Sequence, residues 1–407
     1  MKVYLGIDWS QAKHDACFVN EVGGIVTRLT LAHTPGGFAQ LDATRQKMGV
    51  AADESWVGVE TAHNLLIDFL WARGYTQVYI VPPRAVNSAR PRYTQSEAHT
   101  DRSDAYVIAD LVRTDQQRWT PWHPPSPLIW QLRAKISLVL YLTQNMTRVS
   151  NRLRAVLLRY YPAALHTFQT GLPPLAAQLV LNYPTPADVA GLSWDAFERF
   201  ARGQGYRRTI QELRGCYARL QEPQPVADPV AVVAYPGEAE LLAQQYLRLT
   251  QSKLAELKAM QAIFVQHPDA ALFESLPATG EVIAPGLLAK FGDDRDRFPT
   301  LASVQCLAGT CPVTEASGKR RVVHFRRACD HEFRWLVQEW ARCSRSESTW
   351  AATYLEQVRP HCDSDNEAYR RLANRWLAVA WKMWHTRQPY DEAYHLEHHA
   401  HRSQPRV

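Results

Sequence analysis

Two short apolar runs each end in a carboxylate, and this pairing limits the fold more than any other feature of the chain. Val3-Tyr4-Leu5-Gly6-Ile7 runs into Asp8, and Trp56-Val57-Gly58-Val59 runs into Glu60. Apolar runs of this length read as buried strands. A third stretch, Asp101-Arg-Ser-Asp104-Ala-Tyr-Val-Ile-Ala-Asp-Leu, opens like a helix with acids at i and i+3. Two strand-end carboxylates with such a pair form an oxygen-ligand set for Mg²⁺ (or Mn²⁺) that holds phosphates. The chemistry implied is phosphodiester chemistry on nucleic acid. The plain alternative is surface acids and helix caps, because the helix dipole favours Asp101 and Asp104 where they stand. That alternative does not account for acids at the ends of two apolar strands.

The surrounding pattern supplies a frame for these acids. Residues 1–31 read as strands around the turn Asn20-Glu-Val-Gly-Gly24. A helix over 35–48 follows, then the strand to Glu60, then a helix over about 63–73 that Gly74 ends. Tyr75 to Val81 reads as a strand stopped by Pro82-Pro83. Three antiparallel strands followed by alternating helices and strands predict an RNase H-like (RuvC-like) α/β domain over 1–128. There Asp8 and Glu60 lie side by side, and a later helix supplies Asp101 and Asp104.

Prolines at 121, 124, 125 and 127 break the chain, and a long helical pattern follows. Leu132, Ile136, Val139, Thr143, Met146, Ser150, Leu153, Leu157 and Tyr160 mark a coiled-coil seam. A second long helix spans about 238–264, with Leu247, Leu254, Leu257 and Phe264 as its seam. The two predict an antiparallel hairpin over 129–266, with short helices and loops inserted between 162 and 236. A mainly helical domain over 267–392 and a flexible tail over 393–407 complete the α/β plus α organisation. Within the helical domain, Leu276-Pro-Ala-Thr-Gly280 before a second short helix fits either a phosphate-binding helix-hairpin-helix or an ordinary packing turn. Tryptophans 335, 340, 350, 376, 381 and 384 recur at helical spacing, as core residues do.

Net charge is +6, but its distribution says more. No Asp or Glu occurs from Gln116 to Ala187, a stretch that carries Arg133, Lys135, Arg148, Arg152, Arg154 and Arg159. The helical residues among these fall off the seam. A second basic run holds Lys319, Arg320, Arg321, Arg326 and Arg327. One-signed runs suit a phosphate backbone, although solvated helix faces also produce them. The seven cysteines form no C-x-x-C pair, which gives no support to zinc or thioredoxin-type chemistry. No targeting segment or membrane span is legible, so a cytoplasmic protein with reduced thiols is expected.

Taken in order, the motifs resemble the transposases of insertion-sequence family one-hundred-ten, relatives of the Piv DNA invertases. The N-terminal motifs are Gly6-Ile7-Asp8-Trp9-Ser10, Val59-Glu60-Thr61 and Thr100-Asp101-Arg102-Ser103-Asp104-Ala105. Asn151-Arg-Leu-Arg154 and Tyr161-Pro162 follow. The C-terminal motifs are Leu276-Pro277-Ala-Thr-Gly280, Phe291-Gly292-Asp293, Arg297-Phe298, Leu307-Ala-Gly309, Pro312 and Ser317-Gly318. The resemblance implies a RuvC-like domain whose DEDD set falls on Asp8, Glu60, Asp101 and Asp104. It also implies a transposase domain whose nucleophile falls on Ser317. A structured noncoding bridge RNA, target and donor double-stranded DNA, and a homo-oligomer (a dimer assembling to a tetramer) are the partners implied. Arg326-Arg327-Ala328-Cys329-Asp330 departs from the family's frequent turn before Arg334.

Without the resemblance, Ser317-Gly318 ahead of a basic run reads as a turn. No G-x-S-x-G elbow or neighbouring His and Asp marks a hydrolase. Three functions therefore stand side by side: an RNA-guided DNA recombinase using Ser317, a RuvC-type nuclease of branched DNA using the carboxylates alone, and a non-catalytic nucleic-acid-binding protein. The nuclease leaves the second domain unexplained, and the binding protein leaves the intact acid set unexplained.

Overall fold

A computed structural model describes residues 2–62, 64–93, 100–168, 172–318 and 320–403. The chain divides into two compact units, Met1–Pro124 and Pro125–Val407.

The first unit is a mixed sheet with helices on both faces. Its elements are β1 (Val3–Trp9), β2 (Lys13–Val19), β3 (Ile25–Ala32), α1 (Pro35–Lys47), β4 (Ser55–Val59), α2 (Leu65–Ala72), β5 (Val78–Ile80), α3 (Pro83–Ala89) and α4 (Asp101–Asp115). Among the described residues, the strand order is β3-β2-β1-β4-β5. β1, β2 and β3 pair antiparallel, while β4 and β5 join in parallel. β1 is central and apolar on both faces because both are covered. Val3, Leu5 and Ile7 pack with Leu41, Leu66 and Leu70 on one side. Tyr4 faces the other side, where Cys17 and Val19 meet Ala105, Ile108 and Val112. Burying each such aliphatic side chain contributes about 1.5–3 kcal/mol. The three antiparallel strands expected at the N-terminus are present, and the strand expected over Tyr75 to Val81 is shorter, at Val78–Ile80.

The second unit is mainly helical. α5 (Pro127–Tyr160) is followed by short helices α6 (Pro162–His166), α7 (Pro174–Asn182), α8 (Pro186–Ala190), α9 (Trp194–Gly203), α10 (Ile210–Leu220) and α11 (Pro229–Ala234). α12 (Pro236–Phe264) returns antiparallel to α5, with Lys135 bonded to Glu256 at 2.6 Å and Arg152 to Glu238 at 2.6 Å. α13 (Ala270–Glu274), α14 (Gly280–Phe291), α15 (Leu301–Leu307), β6 (Val313–Ser317), β7 (Arg320–His324), α16 (His331–Ser344), α17 (Thr349–Val358), α18 (Asp365–Thr386) and α19 (Glu392–Ser403) complete it.

The hairpin of α5 and α12 has no core of its own. Ile129 to Leu140 joins Met260, Phe264 and α13–α18 in one core, whereas Leu153 to Tyr160 joins Ala239, Ala243 and α6–α11 in another. The first core holds residues on both sides of 266, from Met260 and Phe264 to Ala270 and Leu272. Thr143, Met146 and Ser150 are only half-buried between the two cores. The expected α12 seam is also shifted. Leu257, Met260 and Phe264 extrapolate back to Lys253, so Leu254 lies one position round the helix and is exposed.

Two further segments are held by specific contacts. The tail expected from residue 393 begins inside α19, which Glu392 anchors by accepting bonds from Ser348 Oγ, Trp350 N and Tyr390 Oη. The loop between α13 and α14 is already engaged within the unit: Ala278 N donates to Glu347 at 2.8 Å, and Pro277 O accepts from Trp340 at 2.9 Å. These contacts favour the packing turn over the phosphate-binding motif. Trp340, Trp350, Trp376 and Trp384 are core residues, whereas Trp335 is exposed. Every cysteine is free, and no described helix is long and apolar enough to cross a membrane.

Candidate metal centre and serine ribbon

The position of the acids follows from register and from two glycines. Ile7 pairs with Val59, so Asp8 and Glu60 leave adjacent strand ends together. Gly6 pairs with Gly58 directly behind them. A Cβ at Gly6 would lie 2.0 Å from Ala105 O and 2.4 Å from Ala109 N. A Cβ at Gly58 would lie 2.6 Å from Ile108 Cγ2. The glycines thus let α4 lie directly on the sheet, which brings its first turn to the strand ends. Thr100 caps that turn and forms a capping box with Ser103. Asp101 and Asp104 occupy the first turn, where the helix dipole stabilises negative charge.

The four acids form one electrostatic cluster. Burial, then Glu60, Asp104, Asp101 and Asp15 in turn, push the Asp8 carboxyl up to about 7. Burial and then Asp104 raise Glu60, with Arg90 opposing them. Asp15 stands opposite Asp8 in the β1–β2 register, is 5% exposed, and accepts from Thr30 Oγ1 at 2.5 Å. Cations meet the cluster at its rim. Arg90 donates from Nε and Nη2 to the two oxygens of Asp104 at 2.8 and 2.6 Å. Lys13 lies 3.7 Å from Asp101, and Arg102 lies 3.9 Å from Asp15.

The donor set is all oxygen and crowded with negative charge, which fits a hard divalent cation better than a thiophilic one. Among the described residues, no three acidic, His or Cys side chains already converge as a ligand group. Asp104 is paired with Arg90 through both of its oxygens. Asp8, Glu60, Asp101 and Asp104 are brought to one end of the sheet, and they are the residues that would hold such an ion.

Ser317 belongs to the second unit. It ends β6, pairs with Arg320 across the hairpin, and is exposed at the ribbon's tip. Gly318 turns the chain with φ +57°, a conformation glycine adopts without steric cost. Among the described residues, none hydrogen-bonds the Ser317 hydroxyl. The ribbon's base is firmly held. Phe325 lies between the guanidiniums of Arg334 and Arg370, at 4.6 and 4.8 Å. Arg334 donates to the carbonyls of Arg326 and Arg327, and Asp330 caps α16 while bonding Lys290 at 2.8 Å. The departure at residues 326–330 is therefore an ordered turn built around Arg334.

The basic residues divide by environment. Arg148, Arg154 and Arg159 are exposed on α5, as are Arg320, Arg321 and Arg327 around the ribbon. Arg152 is exposed but spoken for by Glu238. Arg326 is half-buried, and its Nε donates to Cys311 O at 3.0 Å. Lys319 lies outside the described residues.

Sequence reasoning passed over Asp15, Arg90 and the Gly6–Gly58 pair. The available signal for Asp15 was an acid immediately before the apolar run Ala16-Cys17-Phe18-Val19, once the hairpin register places it opposite Asp8. Arg90 carried no comparable signal, since its partner lies 14 positions further along the chain.

Comparisons with known proteins divide along the same lines. A family model for DEDD transposases of IS110, described as "Transposase", matches residues 5–162. Another, described as "Transposase IS116/IS110/IS902 family", matches residues 270–356. The first span contains the four acids, and the second contains Ser317. "Mini-circle putative transposase for IS117" of Streptomyces coelicolor is 30% identical over 406 residues, 96% of each chain. "Putative transposase y4uE" of Sinorhizobium fredii is 29% identical over 164 residues, 40% of this chain and 45% of its own. "Insertion element IS110 uncharacterized 43.6 kDa protein" of S. coelicolor is 25% identical over 301 residues, 70% of this chain and 71% of its own.

Proposed function

Because this chain belongs to the IS116/IS110/IS902 family of transposases, and so is a DNA transposase or recombinase, we propose that it cuts and rejoins DNA through a covalent phosphoserine at Ser317. In this reading Met1–Pro124 is a RuvC-like domain, and Asp8, Glu60, Asp101 and Asp104 position the scissile phosphate. A structured bridge RNA pairs with target and donor double-stranded DNA. The working assembly is a homo-oligomer, a dimer that forms a tetramer, in which one subunit's acids meet another subunit's serine. The observation that carries this reading is the acid cluster short of counter-charge in a chain that also presents Ser317 exposed on a ribbon.

A divalent ion, Mg²⁺ or Mn²⁺, would supply positive charge on the phosphate oxygens and on the leaving oxygen. The residues do the rest. Ser317 Oγ attacks phosphorus in line, the Oγ–P bond forms, and the bond from phosphorus to a deoxyribose oxygen breaks. The serine's proton is lost and the departing oxygen gains one. Exposed Arg320 and Arg321 flank the nucleophile and offset the charge that builds on the phosphate. A hydroxyl of the other strand then attacks the phosphoserine, which restores Ser317 and needs no ATP because bond energy is kept.

The test uses full-length protein with its co-purifying RNA, target and donor DNA, and Mg²⁺. The reading predicts a protein–DNA adduct on a denaturing gel that Ser317→Ala, Asp8→Ala and ribonuclease treatment each abolish. Cleavage by Ser317→Ala without adduct would instead favour the carboxylate-only nuclease. Undiminished nucleic-acid binding with no Mg²⁺-dependent step in wild type would favour the non-catalytic protein.

A further inference from the structure

Arg90 is the described cation bonded most closely into the acid cluster. It follows α3 and precedes Pro91, and its guanidinium grips Asp104 through both oxygens at 2.8 and 2.6 Å. The third arm is braced, with Nη1 donating to Asn87 Oδ1 at 2.5 Å. The pair is well sheltered, with side-chain exposures of 25% and 14%. Arg90 also opposes the rise of Glu60, so its charge reaches beyond Asp104. Lys13, by contrast, reaches Asp101 at 3.7 Å from a side chain that is 57% exposed.

A bidentate guanidinium occupies both oxygens of a carboxylate along their favoured directions. The contact helps to neutralise the crowded acids of the metal-free protein. It also engages both carboxylate oxygens that Asp104 would offer to a divalent ion. Asp104 can serve the guanidinium or the ion at these oxygens, but not both in full. We propose that Arg90 competes with the divalent ion for Asp104 and thereby sets the ion concentration at which the centre loads. Arg90 is a positioning residue in this sense, since it acts through Asp104. The proposal rests on the metal-centre reading given above.

The direction of the effect separates competition from a merely structural role. If Arg90 only holds Asp104 in place, its loss weakens ion binding. If Arg90 competes, its loss tightens it. The experiment is calorimetric titration of full-length protein with Mn²⁺, for wild type, Arg90→Gln and Asn87→Ala. Arg90→Gln is expected to bind about tenfold more tightly, which corresponds to about 1.4 kcal/mol. Asn87→Ala, which loosens the brace and keeps the charge, moves the same way by less. Thermal unfolding supplies the second readout: Arg90→Gln melts below wild type without metal, and the gap closes at saturating Mn²⁺. Binding to Arg90→Gln that is unchanged or weaker overturns the proposal, as does a melting gap that persists at saturation. Should Arg90→Gln fail to fold, Asn87→Ala binding no more tightly than wild type overturns it. Wild-type protein that binds no Mn²⁺ overturns the metal-centre reading along with it.

Discussion

Gly6→Ala tests how the acids are brought together. The added methyl would sit 2.0 Å from Ala105 O, 2.4 Å from Ala109 N and 3.0 Å from Ala109 Cα. All three are backbone atoms of α4, so no rotamer change relieves the clash. A Cβ is essentially never found closer than 3.0 Å to such atoms, which means α4 and β1 must part by roughly 1 Å. Overpacking of this kind costs about 1–3 kcal/mol. The same movement lifts Asp101 and Asp104 away from Asp8 and Glu60, and a displacement of about 1 Å at a reacting centre can cost about 10²-fold in rate. Gly58→Ala is the internal comparison. Its nearest obstacles are the methyls Ile108 Cγ2 and Val112 Cγ2, at 2.6 and 2.7 Å, and these can yield. Urea denaturation, Mn²⁺ calorimetry and the rate of adduct formation, measured on both variants, should show the larger loss in Gly6→Ala on all three. A Gly6→Ala protein with wild-type stability and wild-type Mn²⁺ affinity would refute the reasoning that these glycines seat α4 over the strand ends.

Other outcomes follow from the electrostatics and from the ribbon. Asp8 has its carboxyl pushed up to about 7 from an ordinary 3.8, so the stability drawn from its protonated form is complete below about 3.8 and is lost as pH rises through about 7. Mn²⁺ must displace that proton: calorimetry at pH 6 in buffers of different ionisation enthalpy should register proton release, which fades above pH 8. No buffer dependence at pH 6 would contradict the Asp8 assignment. Phe325→Ala removes two guanidinium contacts from the ribbon's base, each worth about 0.5–1 kcal/mol. Adduct yield should fall about tenfold while Mn²⁺ affinity stays at the wild-type value, and a fall in both would point to general misfolding.

What was legible in the sequence was whatever a local pattern encodes. Apolar runs bounded by Gly, Pro and polar turns marked β1, β4 and the acids at their ends, because strand burial and chain reversal are short-range matters. The long helices were legible for the same reason. Contacts between distant residues were not. Asp15 became part of the cluster only through the β1–β2 register, and Arg90 only through its reach to Asp104. Leu254 fits the heptad spacing, yet the stripe that packs on the core runs through Leu257, Met260 and Phe264 and leaves Leu254 exposed. The histidine-rich end looked like a solvated tail by composition. Glu392, the first residue of α19, accepts bonds from Ser348, Trp350 and Tyr390, and no window of sequence around 392 contains two of those three partners.

In the proposed function, the acids of one subunit and Ser317 of another serve one phosphate. Complementation tests it most directly. Asp8→Asn and Ser317→Ala proteins are prepared separately with their RNA, then mixed, exchanged and supplied with target and donor DNA and Mg²⁺. Neither variant alone should form an adduct, and the mixture should restore one, mapped by mass spectrometry to Ser317 of the Asp8→Asn chain. A mixture that stays inactive after proven subunit exchange would contradict it, as would an adduct formed by Ser317→Ala alone.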